Sequence, residues 1–342
     1  MNRVEKELSN YISLGNFPTP IEENVFFKEK FGIDFFLKRD DCCGFFATGT
    51  KLRKLEYILK NSLENGVSDI ISIGQVQSNQ SRLLSFLAPK LGFNLHLLTK
   101  GATQEKNDLF PGNTFLNVLF GARIHFLEEK EWRFFPLKVK KLQKKLRKEN
   151  KNPQFISLGA TEPEGIFGII KLVREIIFQN SGIFPYSHVI IPVGTGSTLA
   201  GFDIGLNLAK KQYKKIKTRI LGFSLHADLK NLKEEIKGHF QSFNDKFEYS
   251  FVPSKNVELF DRYRGKGYGQ LSTAEIEKLV QISREFKLYL DPYYLLKPFL
   301  GTIDLINKKE IDHDAKILFL VSGAPFNFFP LKEQLIQELN KR

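Results

Sequence analysis

The sequence predicts an α/β fold in which parallel strands are joined by helical crossovers. Two observations carry that expectation. Short apolar runs alternate along the chain with longer segments of helical periodicity, and the helical segments repeatedly stop at glycine (Gly66, Gly92, Gly121) before the next apolar run. Taken in order, Phe35–Lys38 is a strand followed by a turn through Arg39-Asp40-Asp41, and Lys51 to Asn65 is a helix. Ile70–Ile73 is the next strand and Ser78 to Leu91 the next helix, with Pro89 removing one backbone donor and loosening the last turn. Strand Asn94–Leu98, helix Thr114–Phe120 and strand Arg123–Phe126 follow. The second half repeats the pattern with helix Ile166–Gln179, strand Val189–Val193, helix Leu199–Lys211 and strand Arg219–Ser224. Helix Thr273–Glu285, capped by Ser272 or Thr273, precedes strand Lys316–Val321 and a final amphipathic helix within Phe328–Asn340.

The 342 residues suffice for two domains with a large buried core, and 42% hydrophobic with 26% charged residues is the balance of a soluble globular chain. No apolar run is long enough to span a bilayer, and the opening Met1-Asn2-Arg3-Val4-Glu5-Lys6 has no apolar signal core. Cys42 and Cys43 are adjacent and close no useful loop, so they fit a cytoplasmic, reducing setting as packing residues. The net charge of +13 collects partly in Lys138–Lys148, where Val139, Leu142 and Leu146 recur at helical spacing. That segment reads as an amphipathic helix with a solvated basic face. A second cluster, Lys210-Lys211-Gln212-Tyr213-Lys214-Lys215, lies near a helix end, where lysine suits the helix dipole. No zinc spacing or nucleic-acid reader motif accompanies either cluster, so no nucleic-acid partner is expected. The 33 phenylalanines are scattered through apolar segments and read as core packing. The six histidines (His96, His125, His188, His226, His239, His313) never fall at ligand spacing, so no metal is expected.

Three local patterns carry chemistry. Thr48-Gly49-Thr50-Lys51 is a small-residue turn that delivers one lysine to a helix start, with Lys54 one turn on raising the local positive potential. An ordinary solvated lysine is the commoner fate of this residue type. Strand Ser72-Ile73-Gly74-Gln75 runs through Val76-Gln77 into Ser78-Asn79-Gln80, whose free backbone N–H groups at a helix start suit carboxylates and phosphates. Plain N-capping explains Ser78 or Asn79 equally well, but not the glutamines beside them. Gly194-Thr195-Gly196-Ser197-Thr198 follows Val189-Ile190-Ile191-Pro192-Val193 and has the form of a phosphate cradle, without the Gly-Lys-Ser/Thr ending of a nucleotide loop. An amine for an aldehyde, a cradle for a phosphate and a polar turn for a ring together suggest pyridoxal phosphate.

In this order the motifs resemble one family, the pyridoxal-phosphate enzymes comprising 1-aminocyclopropane-1-carboxylate deaminase and D-cysteine desulfhydrase, of the tryptophan-synthase-β-like fold. The resemblance runs from Leu14–Ile21 through Lys38-Arg39-Asp40-Asp41, the Lys51 segment, Ser72–Arg82, Gly112-Asn113, Gly159–Gly165 and Gly194–Thr198 to Gly267-Tyr268-Gly269, Leu290–Tyr294 and Ser322-Gly323. It implies a fold type II enzyme with two parallel-sheet, three-layer domains and the cofactor in the cleft between them. Residues 55–159 would form the smaller, inserted domain, and 1–54 with 160–342 the larger. It implies that Lys51 bears the cofactor and moves the substrate proton, and that Asn79 bonds the ring hydroxyl. Ser78, Asn79 and Gln80 would meet the substrate, with Ser78 also able to move a proton. Gly194, Thr195, Gly196, Ser197 and Thr198 would hold the phosphate with Lys54 nearby. Tyr268 and Tyr294 would line the substrate side, and Ser322 would stand near the ring nitrogen.

Four departures qualify the match. The family's Gly-Gly-Asn-Lys reads Thr48-Gly49-Thr50-Lys51, its Ile-Gly-Gly reads Ile73-Gly74-Gln75, and its Thr-Gly-Gly reads Ser322-Gly323-Ala324. After Tyr294, where the deaminases have glutamate and the desulfhydrases a small hydroxyl residue, Leu295 and Leu296 precede Lys297. Gln75 is expected to narrow the pocket towards small substrates, and Leu295 removes a carboxylate that ring opening would use. The expected activity is therefore lyase action on a small amino acid, D-cysteine being favoured, by a homodimer with no membrane partner. The alternatives are the deaminase itself, a cofactor-binding relative without turnover and, last, a basic nucleic-acid-binding protein.

Overall fold

The structure, a computed structural model, describes residues 3–44, 49–100, 112–212, 216–323 and 325–341. Thr48, Ala324 and the stretch Tyr213-Lys214-Lys215 of the second basic cluster lie outside the described residues. The elements run α1 (Arg3–Ser9), β1 (Ile21–Glu23), α2 (Val25–Phe31), β2 (Asp34–Lys38), α3 (Lys51–Glu64), β3 (Asp69–Gln75), α4 (Asn79–Lys90), β4 (Asn94–Lys100), α5 (Asn113–Leu119), β5 (Arg123–Leu127), α6 (Glu129–Trp132) and α7 (Phe135–Lys148). They continue with β6 (Pro153–Ile156), α8 (Pro163–Gln179), β7 (His188–Val193), α9 (Ser197–Gln212), β8 (Arg219–Ser224), α10 (Leu229–Phe247), β9 (Val257–Phe260), α11 (Thr273–Glu285), α12 (Leu296–Asn307), β10 (Lys316–Leu320) and α13 (Lys332–Leu339).

Two sheets result. One has four strands in the order β5-β4-β3-β6, all parallel; the other has six, β1-β2-β10-β7-β8-β9, with only the β1–β2 pair antiparallel. Both sheets are covered on two faces, so their strands alternate between two cores rather than between core and water. In β3, Ile70 packs under α3 and α4 while Ile71 and Ile73 face the opposite core, where Val139 and Leu146 of the basic helix α7 are buried. In β10, Leu318 and Leu320 join the α8–α9–α10 core, whereas Ile317 and Phe319 face a phenylalanine-rich core with Phe27, Phe35, Phe286 and Phe299. Phe27 and Phe35 stack with ring centroids 4.1 Å apart, and Phe299 meets Phe35 edge-on, the offset and T-shaped geometries that aromatic quadrupoles favour.

Several elements are additional to the sequence reading. The edge strands β1, β6 and β9 are only three or four residues long, too short to give a period-2 signal. Helix α12 buries most of its length and is apolar over much of its surface, so its polar face is narrow. Helix α10 does carry a stripe, Leu232, Ile236, Phe240, Phe243 and Phe247, capped by Asp228 through Asn231 N. At the C-terminal end, residues 325–331 form a 3-10 turn containing Pro330, so the last helix starts only at Lys332. Cys42, expected to pack, is exposed: the short 3-10 turn Asp40–Cys42 sends neighbouring residues to different sides, and only Cys43 is buried.

Candidate active site

Parallel sheets present the carboxyl ends of their strands on one edge, and that is where these sheets place polar groups. A cavity of about 290 Å³ opens there, and β3, β7, β8 and β10 lead into it through Gln75 and Ser78, Val193 and Gly194, His226, and Ser322 respectively.

Lys51 is the first residue of α3, and its Nζ lies 4.6 Å from the centre of the Tyr294 ring. The turn before it is fixed by a close approach. Gly49 has φ +107, and a Cβ there would lie 2.7 Å from the Ser322 carbonyl oxygen, so only glycine lets the lysine turn rest on the end of β10. Two residues on, the same helix is pinned by a buried ion cluster. Arg53 donates from Nε to Asp40 Oδ2 (2.9 Å), from Nη2 to Asp40 Oδ1 (2.8 Å) and from Nη1 to Glu175 Oε2 (2.8 Å). Lys38 Nζ donates to the Thr19 carbonyl (2.7 Å) and to Glu175 Oε1 (2.5 Å). The Lys38-Arg39-Asp40-Asp41 segment thus anchors the first turn of α3 rather than reaching the cavity. A buried charge cluster of this kind is costly to break because the partner left behind has no solvent.

Lys54, one turn beyond Lys51, also faces the cavity. Its Nζ donates to Ser197 Oγ at 2.7 Å and to the Gly159 carbonyl at 3.2 Å. Burial pushes its pKa down to about 7, and the neighbouring Lys51 charge acts in the same direction. A buried ammonium with neutral hydrogen-bond partners is poised for an anion. Beside it, Gly194 to Thr198 turn from β7 into α9, whose first N–H groups have no partners within the helix. Gly196 has φ +85, and a Cβ there would lie 2.7 Å from Ile236 Cγ1; His239 Nε2 lies 2.6 Å from the Thr195 carbonyl oxygen. Helix α10 therefore buttresses this loop from behind.

The Ser78-Asn79-Gln80 turn divides its roles. Ser78 both lines the cavity and caps α4, accepting from Ser81 N at 3.2 Å. Gln80 lines the cavity, donates to Ser72 Oγ and the Ser157 carbonyl, and keeps a buried Oε1 without a hydrogen-bond partner. Asn79 is not among the cavity-lining residues. It sits behind them, with Nδ2 3.4 Å from Asp291 Oδ2 and Oδ1 3.5 Å from Asn113 Nδ2. Ser197 likewise meets Lys54 rather than the cavity wall, while Gly194, Thr195, Gly196 and Thr198 line it.

Tyr268 and Tyr294 form one wall, edge to face with ring centres 5.1 Å apart. Burial, with Tyr294 beside it, holds the Tyr268 hydroxyl well above the usual phenol range. Gln75 lines the cavity and reaches towards the Tyr268 loop, its Oε1 lying 3.7 Å from where a Gly269 Cβ would stand. Leu295, in contrast, is fully buried in the phenylalanine-rich core and is not a lining residue. Thr50, read in the sequence only as part of the lysine turn, and Trp132 and His226, read with no role in the site, are cavity residues. Thr50 brings a buried hydroxyl without a hydrogen-bond partner immediately before Lys51. Trp132, the chain's single tryptophan, comes from the end of α6. His226 was readable from its place just after strand β8, and burial with nearby Arg264 holds its pKa low.

The wall thus offers two lysines, backbone donors at a helix start, unsatisfied Thr50 and Gln80 oxygens, and no carboxylate among the described lining residues. That donor set fits an anionic, phosphate-bearing aldehyde cofactor. Residues 12–323 match the family of pyridoxal-phosphate dependent enzymes, and the chain belongs to that family. Within it, the chain is similar to a Pyrococcus furiosus protein named "Putative 1-aminocyclopropane-1-carboxylate deaminase", at 28% identity covering 98% of this chain and 99% of the relative. It is similar also to the mitochondrial bifunctional D-cysteine desulfhydrase/1-aminocyclopropane-1-carboxylate deaminase of Arabidopsis thaliana, at 27% identity over 96% of this chain and 81% of that protein. A crystal structure of an ACC deaminase homologue superposes with a TM-score of 0.86 at 25% identity, covering 99% of both chains. No helix among the described residues is long and apolar enough to cross a membrane.

Proposed function

We propose that this chain is a pyridoxal-phosphate-dependent lyase that takes D-cysteine and water to pyruvate, hydrogen sulfide and ammonia. The observation that carries the reading is the pairing, one helical turn apart, of Lys51 beside the tyrosine wall and Lys54 beside the Gly194–Thr198 turn. When bound, the cofactor supplies an aldehyde for an amine and a ring that accepts electrons from the α-carbon. Lys54 and the backbone donors of Gly194 to Thr198 would hold its phosphate, with Ser197 orienting the Lys54 ammonium. Lys51 would be its covalent anchor and, once displaced by the substrate amine, the base at the α-carbon. Asn79 would meet the ring's own hydroxyl, and Thr50, whose buried hydroxyl has no hydrogen-bond partner and stands at the Lys51 end, is a second candidate for that contact. Ser78 and Gln80 at the start of α4 would take the substrate carboxylate, and the Tyr268 and Tyr294 hydroxyls would face the leaving group.

The relatives bear the names of both a desulfhydrase and a deaminase, which supports either chemistry. What favours desulfhydration is the absence of a carboxylate from the described cavity wall: Ser322 offers a neutral hydroxyl, and Leu295 is held in the core. A neutral hydroxyl does not fix a proton on a pyridine nitrogen as a carboxylate does, and the weaker electron demand suits loss of a thiolate better than opening of a carbon ring. The adjoining cysteines support a reducing, cytoplasmic setting, and a homodimer is the assembly we expect. Turnover of D-cysteine beside 1-aminocyclopropane-1-carboxylate at matched concentrations tests the proposal: sulfide and pyruvate should form, with 2-oxobutanoate absent or trace. Efficient ring opening with D-cysteine inert would replace it with the deaminase; inertness towards both would leave a cofactor-binding protein.

A further inference from the structure

Between β9 and α11 the chain has no strand or helix, yet it carries Tyr268 to the cavity wall. The loop contains three glycines in the left-handed region, Gly265 (φ 56), Gly267 (φ 102) and Gly269 (φ 76). The carbonyls of Arg264, Gly267 and Gln270 converge on a single atom, Lys297 Nζ, at 2.8, 2.8 and 3.0 Å. An ammonium has three protons, and all three are used. Lys297 is only 3% exposed, and its nearest carboxylate, Glu275 Oε1, stands 3.9 Å away, while the other oxygen of Glu275 is engaged with Ser272. Lys297 lies in the first turn of α12, where the helix dipole disfavours a cation, and burial opposes its charge further. Its place is thus unfavourable by local rules, and the three carbonyls are what offset it. Lys297 is also only three residues beyond Tyr294, whose backbone N–H is held by Asp291 Oδ1 at 2.9 Å.

We propose that Lys297 is a positioning residue: a tethered cation around which the Tyr268 loop folds, fixing Tyr268 against Tyr294. The inference rests on the reading of these two tyrosines as the substrate-facing wall. It makes the site a built-in monovalent-cation site. With the lysine stem removed, the three carbonyls are left to bind a free cation of similar size.

Two variants separate charge from packing. Lys297→Ala removes the charge and opens space; Lys297→Met removes the charge but keeps the stem. Trypsin cleavage at Arg264 and Lys266 reports the loop without any substrate, and kcat/KM for D-cysteine reports the wall. Both variants should become cleavable in the loop and lose about 10–100-fold in kcat/KM, the size expected for a misplaced wall residue, while keeping bound cofactor. Potassium, ammonium or a short alkylammonium should restore loop protection and several-fold activity in Lys297→Ala, and should do neither in Lys297→Met. Retained protection in Lys297→Met, or Lys297→Ala that no cation restores, would overturn the proposal. So would prompt cleavage at Lys266 in the folded wild-type chain, a result that needs neither variant to fold. If D-cysteine is not a substrate, wild-type turnover is absent and the proteolysis arm still decides.

Discussion

The two ends of the cavity are built on opposite plans. At the Gly194–Thr198 end the groups are main-chain donors at the start of α9, backed by the packed helix α10 and by one buried ammonium, Lys54. At the tyrosine end they are side chains, Tyr268 on a loop with no strand or helix and Tyr294 just before α12, positioned by contacts to Lys51 and Lys297. The first plan recognises a constant group, because backbone N–H groups are the same whatever the sequence. The second can be retuned by single substitutions, because its shape and polarity reside in side chains. On the function proposed above, the first end would anchor the cofactor and the second meet the substrate, the division that one constant cofactor and adjustable substrates require.

Lys51, at the tyrosine end, is the proposed covalent anchor and base, so its loss should have the largest effect. Lys51→Ala should abolish the borohydride-trapped cofactor adduct and bring turnover to background; an adduct persisting on another lysine, located by peptide mapping, would break the assignment. Next is Gly196→Asp, which places a carboxylate against the anion site and a Cβ within 2.7 Å of Ile236. Cofactor affinity, read from equilibrium dialysis, should fall by about 100-fold or more, from like-charge repulsion added to backbone strain. Undiminished affinity would put the phosphate elsewhere.

Lys54 sharpens the comparison through pH. Below a pKa of about 7 in the cofactor-free protein its ammonium is charged, and above it the charge is lost, so the pH at which phosphate is offered matters. Cofactor association should therefore weaken as pH rises through 7. Lys54→Met should flatten that slope and weaken binding at pH 6 by about 10–100-fold, the worth of a charge-assisted hydrogen bond. A wild-type affinity independent of pH between 6 and 8.5 would remove Lys54 from the anchor. The smallest effect is expected at the other end. Tyr268→Phe keeps the ring against Tyr294 and deletes one hydroxyl, so kcat for D-cysteine should fall by about 10-fold or less, the worth of one hydrogen bond, while cofactor affinity stays put. A loss of cofactor instead would mean that the two ends are not independent.

Much of this was legible in the residues themselves. Lys51 after a small-residue turn, the Ser78 turn after a strand and the Gly194–Thr198 turn after another are local patterns, and local patterns follow from backbone geometry that a few residues dictate. Strand and helix alternation likewise announced parallel sheets, because crossovers need helices. Tertiary structure alone decided which of these residues meet. Asn79 and Gln80 are neighbours in sequence, yet the step of about 100° between adjacent helical residues sends Gln80 to the cavity and Asn79 to Asp291 and Asn113. Leu295 looked like a change in the pocket and is a core residue, because the turn after Tyr294 points it into the phenylalanine cluster. Trp132, His226 and the Lys297 cage come from segments far apart along the chain, and only folding brings the first two to the cavity and the third to the Tyr268 loop. A sequence fixes hydrogen bonds that close within a turn or two; contacts between distant segments depend on how the two sheets stack their helices, and no local pattern encodes that.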